Sequence, residues 1–89
     1  MTDHKLLIGS LSNDLLRVAN LTQRGSSFAA ERFLIEAKRW ADQLNGYTQK
    51  PYIDSIILDV KSENELSIER AEKFLMYSTL LQNYAMHIN

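Results

Sequence analysis

Eighty-nine residues, 45% of them hydrophobic and 24% charged, are the composition of one globular domain, residues 1–89, with a single core, and exclude a disordered chain. Ten basic and eleven acidic residues leave a net charge of -1, so no overall field draws the chain toward nucleic acid or anionic lipid. The absence of cysteine excludes a disulfide framework, a thiolate metal site and a cysteine nucleophile together.

The N-terminal stretch MTDHKLLIGSLSNDLL has an apolar run of only Leu6 to Ile8, flanked by Asp3 and Asp14. That run is too short and too acidic in its surroundings for a signal peptide, and a cytoplasmic protein is the expectation. Over residues 4–24, a spacing of 100° per residue gathers Leu7, Ile8, Leu11, Leu15, Val18, Ala19 and Thr22 on one face, which predicts a first amphipathic helix. Gly25 supplies the left-handed stop, and Ser26 or Ser27 a hydroxyl to cap the next helix.

Residues 27–45 give the clearest periodicity, with Ala30, Phe33, Leu34, Ala37, Trp40, Ala41 and Leu44 on one side and charged residues on the other. Trp40 is expected to be buried against the last helix. Asn45-Gly46 ends this helix, and Gly46 to Lys50 forms a polar loop leading to Pro51, a favoured first helical residue. Ile53, Ile56, Ile57 and Val60 then predict a third helix over 51–61. SIILDV also has the β-branching of a strand, but a single strand finds nothing in this chain to pair with.

Ser62 with Glu65 makes a capping-box pattern, and Ser67 is a second candidate cap. From there a long helix runs over 66–88. Its segment FLMYSTLLQNYAMHIN, residues 74 to 89, carries no Asp, Glu, Lys or Arg. Ser78, Thr79, Gln82, Asn83 and His87 make it too polar for a membrane span, so the expectation is the most buried helix of an all-α, small antiparallel four-helix bundle.

Several large apolar residues fall off these buried faces: Met76 and Leu80 on the fourth helix, Phe28 and Ile35 on the second, Leu6, Leu16 and Leu21 on the first. Read as one contiguous patch, they predict a protein interface, most simply that of a homodimer. Tyr47 and Tyr52, around the Pro51 turn, join the candidate interface set, although closure of the bundle end, which needs large residues, is the favoured reading for them.

The search for chemistry returns little. Asp3, His4 and His87 share one end of such a bundle, but no ligand pair has the i, i+4 spacing of a helical zinc site, and no metal or cofactor is expected. Glu69 and Glu72, interleaved with Arg70 and Lys73, read as a solvated first turn rather than an acid/base pair. Arg32, Lys38 and Arg39 form the one basic cluster, which makes a nucleic-acid-binding regulator the alternative; the i, i+4 pairs Arg32/Glu36 and Lys38/Asp42 argue for a solvated face instead. In size and helix order the chain is comparable to small helical bundles such as bacterial immunity or antagonist proteins, a likeness of architecture that transfers no residues. The sequence therefore points to a non-enzymatic interaction module that binds itself or another protein.

Overall fold

The computed structural model describes residues 3–47 and 50–88. Two parts of the sequence reading lie outside it: the loop residues 48–49, and residue 89 at the end of the uncharged stretch. Four helices follow in order, α1 (His4–Gln23), α2 (Ser27–Leu44), α3 (Pro51–Ser62) and α4 (Ile68–His87), each within two residues of its expected bounds. SIILDV is helical, and there is no strand among the described residues.

The punctuation follows local chemistry. Asp3 caps α1 by accepting from the Lys5 N–H. After α1, Gly25 adopts φ 81, and the Ser26 N–H reaches back to the Leu21 carbonyl at 2.8 Å while the Gly25 N–H reaches Thr22 at 3.1 Å. That pair of bonds satisfies the last carbonyls of the helix and needs a residue tolerant of the left-handed region. Ser26 occupies the cap position of α2, but its hydroxyl makes no capping bond. Pro51 opens α3. Ser67, not Ser62, caps α4 by accepting from the Arg70 N–H, whereas Ser62 belongs to α3 and donates to the Asp59 carbonyl.

The helix given the central position is α1, not the uncharged α4. It packs along both α2 and α4, and α2 also packs along α3. Bonds from Arg70 and Tyr77 to Asp59 join α3 to α4 and close a ring of four. Every neighbouring pair is antiparallel: His4 meets Tyr84 while Ser12 meets Ser78, Asp14 meets Trp40 while Arg17 meets Phe33, Lys61 pairs with Asp42 while Asn64 just beyond α3 meets Lys38, and Asp59 meets Arg70 while Tyr52 meets Tyr84. In this ring α2 and α4 face each other across the core instead of lying side by side.

Leu7, Leu11, Leu15, Leu44, Ile53, Phe74 and Leu81 are fully buried at its centre. Each contributes roughly 1.5 to 3 kcal/mol relative to exposure. Where α1 meets α4, the side chains are small and polar. Ser12 Oγ donates to the Ser78 carbonyl at 2.8 Å, and Ser78 Oγ donates to the Ser12 carbonyl at 2.9 Å. Both hydroxyls are thus buried without an unmade bond.

Trp40 is only half-buried and sits on the α1 side of α2, where its Nε1–H donates to Asp14 Oδ2 at 2.8 Å. This corrects the expected burial against α4. An indole N–H needs an acceptor when it leaves water, and α1 supplies a buried carboxylate. Arg17 holds the other oxygen of Asp14 at 3.1 Å and lies 5.3 Å from the centre of the Phe33 ring.

Candidate interaction surface

Burial accounts for only half of the uncharged stretch. Phe74, Tyr77, Ser78, Leu81, Tyr84 and Ala85 face the core, but Met76, Thr79, Gln82, Asn83, Met86 and His87 are exposed. Glu72, Met76, Thr79, Asn83 and Met86 follow one another at alternating steps of four and three, so they form one outward stripe along α4. After Glu72 this stripe has no charge for its full remaining length, although nothing among the described residues covers it.

The neighbouring side of α1 continues the same character. Ser12 touches Ser78 and stands 3.3 Å from Gln82 Oε1, which fixes that side of α1 against α4. Leu16 lies one turn further along α1 and Leu75 nearly one turn back along α4, so antiparallel packing sets them beside each other. Leu16 is 42% exposed, and Asn13 and Asn20 on the outer side of α1 are exposed and uncharged.

The other expected interface residues are distributed differently from one patch. Met76 is 52% exposed, as the wheel requires, but Leu80 is half-buried and packs onto the core. Phe28, 77% exposed, and Ile35 project from the outer face of α2. Since α2 and α4 stand across the core from each other, these two share no surface with Met76. Leu21 is half-buried, and its spacing from Asp14 puts it toward α2, away from Leu16. The contiguous three-helix patch is therefore replaced by separate apolar sites. Exposed Leu58, Ile68 and Met86 were missed. The 68% exposure of Met86 runs against the expectation that α4 is the most buried helix.

Tyr47 and Tyr52 form part of an aromatic cluster at the end of the bundle. His4 stacks on Tyr47 with centroids 4.9 Å apart, and Tyr84 stands edge-on to His4 at 6.0 Å and to Tyr52 at 6.4 Å. The arrangement covers the core at that end, and beside it lies a cleft of about 380 Å³ lined by Lys50, Tyr52, Asn83, Tyr84 and His87. His4 and His87 do not form a metal centre with Asp3. His87 Nδ1 donates to the Asn83 carbonyl at 2.7 Å, Asp3 caps α1, and among the described residues no three metal-ligating side chains gather.

The charged residues are mostly engaged in local and interhelical pairs. Arg39 bonds Glu36 at 3.0 and 3.1 Å, Lys38 Nζ donates to Asn64 at 3.3 Å, and Asp42 pairs with Lys61 of α3 at 3.2 Å. The i, i+4 pairs expected on α2 are thus replaced by an i, i+3 pair and by contacts beyond the helix, and the basic cluster is largely committed within the fold.

The first turns of α4 hold the strongest electrostatic group. Tyr77 donates to Asp59 Oδ2 at 2.5 Å, Arg70 Nη2 bonds Asp59 Oδ1 at 3.0 Å, Arg70 Nε pairs with Glu63, and Lys73 lies 3.6 Å from Asp59. Burial alone raises the Asp59 carboxyl, but the bonds from Tyr77 and Arg70 and the charges of Arg70 and Lys73 prevail and hold it below the usual carboxylate range. Burial first, and then the bond and charge of Asp59, push the Tyr77 hydroxyl up to about 12. Arg70 and Lys73 are therefore interhelical ties, not solvated partners of Glu69 and Glu72.

Comparison with protein-family models, with curated proteins and with solved structures finds no match to this chain. No helix among the described residues is long and apolar enough to cross a membrane.

Proposed function

We propose that the protein acts by binding protein, its own copy or another chain, and performs no catalysis. The observation that supports this reading is the outer stripe of α4, which combines exposed Met76 and Met86 with uncharged Thr79 and Asn83. Solvated helix faces ordinarily carry charge, whereas the centres of protein interfaces are depleted of it and enriched in Met and aromatic residues. Catalysis requires convergent titratable groups with a reacting position between them. The perturbed pair, Tyr77 and Asp59, is instead consumed by an interhelical bond. We place the protein in the cytoplasm, a setting that suits its cysteine-free sequence.

The test is its native mass in extract of the source cells and after purification, for the wild type and for Met76→Glu, Ile35→Glu and Leu58→Glu. The expected result is an assembly larger than 10.3 kDa in extract that Met76→Glu reduces while helix content is retained. A chain that runs as a monomer in both settings, unaffected by any of the three changes, overturns the reading.

A further inference from the structure

We infer that the occupant of the uncharged α4 face is a second copy of this chain, held antiparallel across a twofold axis near Thr79. This rests on the interaction reading above and names its partner. Three observations carry it: the neutrality of the face, the acids at one of its ends, and its size.

A face with no charge from Met76 to Met86 offers nothing to a charged partner, which would lose hydration there without compensation. A copy of the same face costs nothing of that kind. Met76 of one copy then lies beside Asn83 of the other, and the two Thr79 positions approach each other at the axis. The direction follows from the ends of the stripe. Glu69 and Glu72 are exposed at one end and His87 at the other. A parallel pair sets each acid against its own copy, whereas the antiparallel pair sets Glu72 beside His87 and keeps like charges apart.

From Glu72 to His87 the stripe is about 24 Å long at 1.5 Å per residue. Taken with the adjoining Leu16 side of α1, a two-helix face as wide as the 20 Å bundle gives on the order of 500 Å² per copy. That places the pair near the lower bound for a specific interface. The dimer is accordingly expected to be weak and transient, in the micromolar range.

The absence of native cysteine makes a direct test available, since any introduced thiol is the only one in the chain. Thr79→Cys is compared with Ile35→Cys, which sits on the opposite side of the bundle, under mild oxidation. Sedimentation equilibrium of the cysteine-free wild type is run in parallel up to about 1 mM, above the expected dissociation constant. The expected result is rapid disulfide-linked dimer from Thr79→Cys, little from Ile35→Cys, and a wild-type mass that rises with concentration. Met76→Glu combined with Met86→Glu should weaken association at least about 100-fold with unchanged circular dichroism, because both side chains are exposed in the single chain. Preferential cross-linking of Ile35→Cys with a dimeric wild type overturns this face but leaves the interaction reading standing. A wild type monomeric at 1 mM overturns the second copy as occupant, and the interaction reading then stands or falls on the mass in cell extract.

Discussion

Replacing Tyr77 with Phe removes one hydroxyl and tests the tie between α3 and α4. The phenol is mostly buried and donates to a carboxylate that Arg70 and Lys73 also hold. A hydrogen bond to a charged group contributes roughly 1.5 to 3 kcal/mol. The rise of the hydroxyl from 10.0 to about 12, owed first to burial and then to the bond and charge of Asp59, sets the pH range in which that contribution is lost. The sign follows from the direction of the shift. A raised phenol contributes its full stability below pH 10 and loses it as the pH climbs toward 12. Tyr77→Phe should therefore cost about 2 kcal/mol at neutral pH, or roughly 10 °C in Tm for a chain of this size. The assay is urea denaturation followed by circular dichroism at several pH values, taking the difference between wild type and variant. Lysine titration is common to both proteins and largely cancels in that difference. The difference should shrink between pH 10 and 12. A difference under about 0.5 kcal/mol at neutral pH, or one that stays constant through that range, refutes the account of the cluster.

Asp59 gives the acid counterpart: its lowered carboxyl contributes stability above the ordinary value of 3.8 and loses it as the pH falls through the folded value, so Asp59→Asn should flatten the acid limb of a denaturation profile. Trp40→Phe keeps most of the apolar contact but leaves Asp14 without the indole donor, and chemical denaturation should register a loss of about 1 to 3 kcal/mol. Ser67→Ala should cost about 1 kcal/mol by loss of the α4 cap, and Ser62→Ala, which removes only a bond back along α3, should cost less than half of that in the same measurement. Leu80→Glu should destabilise the fold by more than 2 kcal/mol because the side chain packs onto the core, whereas Met76→Glu should leave the monomer within about 0.5 kcal/mol of wild type in thermal melts.

Helices and their ends were legible because the signals that set them are local. The i, i+3, i+4 spacing of Ile53, Ile56, Ile57 and Val60, the ring of Pro51 and the missing Cβ of Gly25 act within a turn or two of chain, so their effect is nearly the same in any fold. Where two local signals competed, sequence chose less well. Ser62 and Ser67 both have the hydroxyl of a cap, and only the folded backbone shows α3 running through Ser62 and α4 starting after Ser67.

The candidate surface depended on information that a helical wheel does not hold. A wheel ranks positions around one axis but does not say which neighbour stands on either side. Leu80 and Met76 differ little in angle, yet Leu80 packs onto the core and Met76 stays open. Phe28 and Met76 look like parts of one patch on separate wheels, and the ring order of the helices puts them on opposite sides of the core. The polar contacts were hidden for the same reason. Ser12, Asp14 and Ser78 break the apolar pattern, and their burial becomes favourable only when a partner from another helix arrives to make each bond. Sequence by itself determined four amphipathic helices and the uncharged run in the last of them, since periodicity and propensity act within a segment. Tertiary structure decided which half of that run meets solvent, because burial is a property of neighbours brought together across tens of residues of chain.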